Sequence, residues 1–83
     1  MASRNIIGKR LRIARTRAAP PITQGELAAR LQVQGLPIER VTISKIETGY
    51  REVTDVEVAA IAGILGVSVG WLFGEDDKTD SRR

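Results

Sequence analysis

Residues 23–49 read TQGELAARLQVQGLPIERVTISKIETG, and this stretch decides the fold. Thr23-Gln24-Gly25-Glu26 has the form of a capping box, in which a threonine hydroxyl accepts a backbone N–H three residues on and the glutamate side chain reaches back. Leu27, Ala28 and Leu31 then recur at helical spacing, and Gly35 is the first good stop signal. After Leu36-Pro37 the run from Ile38 to Thr48 is again helical in pattern, with Gly49 as its stop. At about 100° per residue, Arg40, Val41, Ser44, Lys45 and Thr48 fall inside one arc of roughly 140°, while Ile43 and Ile46 point the other way. The pattern predicts two helices in close succession, the second with an apolar back and a front of hydroxyls and cations.

Working outward, Ile7, Leu11, Ala14 and Ala18 mark one face of a first helix over Asn5 to Arg17, and Pro20-Pro21 ends it in a stiff extended connection. Downstream, Thr54-Asp55-Val56-Glu57 is a second capping box, opening a helix with Val58, Ile61, Ala62 and Leu65 inward and Gly66 after its end. Ser68 caps a last short turn, from which Val69, Leu72 and Phe73 are expected to close the core. Residues 1–74 are thus expected to form one all-α domain, and Glu75 to Arg83 a charged, disordered tail.

Composition narrows the function. With 83 residues and neither cysteine nor histidine, structural zinc sites, thiol redox chemistry and Ser-His or Cys-His catalysis are excluded. No phosphate-cradling glycine loop or recognisable carboxylate pair remains to build an enzyme site, so neither catalysis nor a cofactor or metal is expected. The net charge of +3 hides an asymmetry. Residues 1–45 carry nine Lys/Arg against two Glu, whereas residues 46–83 carry four against eight Asp/Glu, the footprint of a basic face for nucleic acid or another anionic surface. The Arg-rich start from Ser3 to Ala19 superficially resembles a transit peptide, but it is a well-formed amphipathic helix. Val56 to Phe73 contains Gly63, Gly66, Ser68 and Gly70, which fits two short helices broken at Gly66 and not a membrane span.

The second and third helices together form a candidate helix-turn-helix. Three strings occur in order: Thr23-Gln24-x-Glu26-Leu27-Ala28, Thr42-Ile43-Ser44-Lys45-Ile46-Glu47-x-Gly49-x-Arg51, and Ala60-Ile61-Ala62 to Leu65-Gly66-Val67-Ser68. Through them residues 5–74 resemble the Cro/phage-repressor (XRE) family of helix-turn-helix transcription factors. The resemblance implies a compact five-helix bundle that binds double-stranded DNA with its third helix in the major groove. Base contacts are then implied for Arg40, Val41, Ser44 and Lys45, the same front face found from the helical arc. Arg40 or Lys45 suits guanine O6 and N7, and Val41 a thymine methyl. Gln24, at the start of helix two, matches the family's phosphate-binding glutamine, and Thr42 and Arg51 are further phosphate candidates, with Arg4, Lys9 and Arg10 adding looser contacts. Between the two helices the chain is longer than the family's usual run, so Gln34 to Ile38 reads as an insertion.

Glu47 lies near the end of the third helix, where negative charge opposes the helix dipole. The family pattern places Arg15 against it as a structural ion pair. The resemblance further implies a repressor acting as a homodimer in a bacterial or phage-type cytoplasm. Gly70, Trp71, Leu72 and Phe73 are the candidates for the dimer surface, although a core role suits such residues better, Trp71 excepted. Two alternatives are an antitoxin that also binds a protein partner, and an interaction module that has lost DNA binding, against which the basic first half argues.

Overall fold

Four of the five helices begin where a side chain takes up their first backbone N–H groups. In the computed structural model, which describes residues 3–75, Asn5 Oδ1 accepts from the N–H groups of Ile7 (3.0 Å) and Gly8 (2.8 Å) ahead of α1 (Gly8–Arg17). Thr23 opens α2 (Gln24–Val33): its Oγ1 accepts Glu26 N–H at 3.0 Å, and Glu26 Oε1 accepts Thr23 N–H at 2.8 Å. Thr54 and Glu57 repeat this box at 3.1 and 3.0 Å ahead of α4 (Asp55–Leu65), and Ser68 Oγ accepts Trp71 N–H at the start of α5 (Val69–Leu72). The exception is α3 (Arg40–Glu47), which follows Glu39 in extended backbone with no side-chain cap.

All five elements are helical, and among the described residues there is no strand. α1 and α2 pack on α3, α4 packs on α2 and α1, and α5 seals the join between α4 and α1. Nine large side chains at the centre are fully buried: Ile7, Leu11, Leu27, Leu31, Ile38, Ile43, Ile46, Ile61 and Leu72. At about 1.5–3 kcal/mol each, their burial is the main force holding so small a chain together. The segment from Val56 to Phe73 is divided by Gly66, and no helix among the described residues is long and apolar enough to cross a membrane.

Three expectations need correction. The third helix starts at Arg40 and not at Ile38. Ile38 is only 1% exposed, and its carbonyl accepts Gln32 Nε2 at 2.8 Å, so this residue serves as a core plug inside the connection. The longer connection is therefore an ordered six-residue turn, with Gly35 at φ +87° reversing the chain and Leu36 half-buried. The first helix starts at Gly8, because Asn5 stands outside it and caps it.

Lastly, Val69 and Phe73 do not close the core; they are 42% and 47% exposed. A helix of four residues presents one stripe inward, and Leu72 occupies it, with Trp71 half-buried at its edge. Residues four apart share a face, so Val69 and Phe73 both fall on the outer side. The tail beyond Glu75 lies outside the described residues.

Candidate nucleic-acid interface

α3 is eight residues long, and an α-helix with its side chains, about 10–12 Å across, fits the roughly 12 Å width of a B-DNA major groove. Ile43 and Ile46 are wholly buried on its back. On its front Arg40 and Lys45 are exposed, Val41 is half exposed, and Ser44 is half-buried. The four proposed base readers therefore share one accessible face. Thr42 is half-buried at the flank, and among the described residues its hydroxyl makes no hydrogen bond.

Behind this face lies a network that joins three helices. Arg15 on α1 forks onto Glu47 on α3, Nε to Oε2 at 2.7 Å and Nη2 to Oε1 at 3.0 Å, and its Nη1 donates to Ile22 O at 3.1 Å. The two side chains are 11% and 5% exposed. Gln24, the first residue of α2, donates its Nε2 to Glu47 Oε1 at 3.0 Å. Its second amide hydrogen and its carbonyl stay available beside the N-terminus of α2, where the helix dipole favours an anion. Glu47 thus holds the end of α3 to both α1 and α2, and the negative charge that opposes the α3 dipole is neutralised by the fork.

Arg51, a phosphate candidate by sequence, is also engaged within the protein. Its Nη1 and Nη2 donate to Glu57 Oε1 and Oε2, each at 3.0 Å, and Nη1 also donates to Glu52 O at 2.8 Å. Hydrogen bonding from Arg51 holds the Glu57 carboxyl below its ordinary range, and the same bonds raise Arg51. Glu57 is buried and doubles as the third residue of the α4 capping box. Arg10 is likewise engaged: its guanidinium stacks 4.7 Å above the Trp71 ring, and Nη1 donates to Trp71 O at 3.3 Å. Arg4 remains at the surface, 3.9 Å from Glu52, with both side chains well exposed.

Two further residues set how α3 is held. Asn5 Nδ2 donates to Ile46 O at 3.1 Å and to Arg51 O at 2.8 Å, while Arg4 N–H bonds Gly49 O at 2.8 Å. Gly8 sits where α1 meets the last turn of α3, so closely that a Cβ there would lie 2.5 Å from Ile46 O and 2.8 Å from Glu47 O. Sequence reasoning assigned neither residue a role. Nor did it find the partner of Arg51, although Glu57 is visible as a capping-box glutamate.

A helix pair with a buried polar brace behind it and an uncovered cationic front is the geometry of a groove-reading unit. A family model described as helix-turn-helix matches residues 11–72, most of the chain. This protein belongs to the Cro/C1-type (XRE) helix-turn-helix family. Its five helices form the DNA-binding helix-turn-helix domain of that family, with α2 and α3 as the motif, and the family is one of DNA-binding regulators and not of enzymes. No curated protein and no solved structure matches the chain.

Proposed function

We propose that this helix-turn-helix domain is a sequence-specific repressor that occupies a pseudo-palindromic operator as a homodimer. Half-sites would then lie about one helical turn, ~34 Å, apart. The observation that carries the reading is the front of α3, where Arg40, Val41, Ser44 and Lys45 present donors, a hydroxyl and, at the half-exposed Val41, a methyl surface. Arg40 and Lys45 donate to guanine edges, Ser44 donates or accepts, and Val41 packs on a thymine methyl. Gln24 and Thr42 contact phosphates on either side. Arg51, with its charge matched by Glu57, acts chiefly by fixing the loop after α3.

Selection of bound DNA from a random pool, followed by titration at two salt concentrations, tests this. A dimer neutralising six to eight phosphates loses affinity with a log–log slope of about −5 to −7. No selected sequence, or no salt dependence, would sink the reading. Lys45→Ala should leave the melting temperature unchanged and cost about 1–3 kcal/mol of discrimination at particular base pairs. An unaltered base preference would show that the reading face lies elsewhere.

A further inference from the structure

The lengthened turn between α2 and α3 runs through neutral residues from Gln34 to Ile38 and then ends on a charge, Glu39. Its backbone is fixed. Ile38, just before it, is buried in the core with its carbonyl held by Gln32, and Glu39 O accepts the N–H groups of Thr42 (2.9 Å) and Ile43 (3.1 Å) as α3 begins. Its side chain is uncommitted. It is exposed, it does not cap α3, and among the described residues it forms no ion pair. A glutamate is a poor choice for an N-cap, a position that favours Ser, Thr, Asp or Asn, and this chain uses Thr or Ser at three other helix starts.

The next residue, Arg40, is also exposed and without an ion pair among the described residues. Its Cδ lies 4.0 Å from the Cβ position of Gly25, so its aliphatic stem runs along the first turn of α2. Two adjacent side chains of opposite charge, each without an ion pair among the described residues, therefore stand at the leading end of the helix that enters the groove. A carboxylate carried among phosphates is repelled unless it meets a donor. In the major groove the donors are cytosine N4 and adenine N6, whereas guanine O6 and N7 and thymine O4 are acceptors.

We propose that Glu39 and Arg40 together read one C·G base pair, Glu39 accepting from cytosine N4 and Arg40 donating to guanine O6 and N7. The two edges adjoin within that pair, so one extended residue and the first helical residue can reach both. An A·T pair satisfies Glu39 through adenine N6 but leaves Arg40 a single thymine oxygen, which makes C·G the preferred pair. This inference rests on the reading of α3 as the groove helix, and it adds a specificity determinant that lies outside the helical front face.

The test is selection from a random pool with the wild-type chain, Glu39→Ala and Arg40→Ala, followed by competition titrations with single-pair variants of the selected site. Wild type should prefer C·G over A·T and T·A at one pair near the operator's outer or inner end by roughly tenfold. Both variants should lose preference at that same pair and keep it elsewhere. Glu39→Ala should also bind random DNA a few-fold more tightly, since it removes a negative charge from the interface. The proposal is overturned if Glu39→Ala selects the same site with undiminished discrimination, or if the two variants relax different pairs. Should the wild type select nothing, the groove reading of α3 itself fails; a selected site indifferent to residue 39 overturns this inference alone.

Discussion

At its C-terminal end α3 is gripped from several directions: Arg15 and Gln24 hold the Glu47 carboxylate, Asn5 Nδ2 holds the Ile46 carbonyl, and the main chain of α1 meets it at Gly8. At its N-terminal end the helix is uncapped, and its tether is the buried Ile38 one residue before Glu39. One end carries buried charge and close backbone contact, the other exposed charge with no ion pair among the described residues. The difference separates two tasks within eight residues. The held end sets the angle at which the helix leaves the domain, and at the open end Glu39 and Arg40 form no ion pair among the described residues, so their hydrogen bonds are available to DNA. A residue that grips the held end from behind should therefore be judged by stability, and one at the open end or on the exposed front of the helix, Lys45 included, by base preference.

The largest effect expected is at the Arg15–Glu47 fork. Arg15→Ala strands a carboxylate that is 5% exposed, and breaking such a pair costs about 3–5 kcal/mol. Urea unfolding measures it, and a loss under about 1 kcal/mol would show that the fork does not hold the helix. Replacing both partners by apolar residues, as Arg15→Met with Glu47→Leu, should recover much of the loss, because no buried charge is then left unpaired.

Gly8→Ala comes next, and here two effects oppose each other. Alanine gains up to about 1 kcal/mol of helix propensity. Its Cβ, however, meets two main-chain oxygens that cannot rotate away, and overpacking of this kind costs about 1–3 kcal/mol. Net destabilisation by about 1 kcal/mol in thermal melting, with weakened operator binding, is the expected outcome. Stabilisation would mean that α1 and α3 move apart freely and that the held end is not held.

The contrast between the ends also explains what was readable in the sequence. Arg40, Val41, Ser44 and Lys45 share a face through local spacing, and Ile43 and Ile46 mark its reverse, so the proposed reading surface follows from about two turns of helix. The Thr23 and Thr54 capping boxes are equally local. The held end depends on contacts between residues far apart: Asn5 reaches Ile46 and Arg51 across more than 40 positions, and Gly8 is required by an approach that no local pattern encodes. Arg15 and Glu47 could be paired only through resemblance to a family. Glu57 was hidden differently, since its capping role already accounted for it and masked its second partner. At α5, counting apolar residues overstated burial because a single turn has only one inward stripe.

The smallest effect concerns the second fork, which supports the held end indirectly. Arg51 pairs with Glu57 on α4 while its carbonyl receives Asn5, so α4 steadies the loop, and the loop steadies the clasp on Ile46. Because the Arg51 bonds hold Glu57 below its ordinary value, the folded state favours the carboxylate. That contribution is complete above the unfolded glutamate value of about 4.3 and is lost as pH falls through the lower folded value. Arg51 is about one-third exposed, so solvent screening keeps the fork to about 1 kcal/mol at neutral pH. Glu26, held low first by its bond from the Thr23 backbone N–H, titrates in the same direction and contributes its own acid limb. Arg51→Met should therefore lower stability by about 1 kcal/mol at pH 7 and by less at pH 3, the difference between the two stability–pH curves isolating Glu57 from Glu26. Parallel curves would mean that Glu57 owes its depressed value to the Thr54 capping contacts alone, and that the clasp at the end of α3 stands without help from α4.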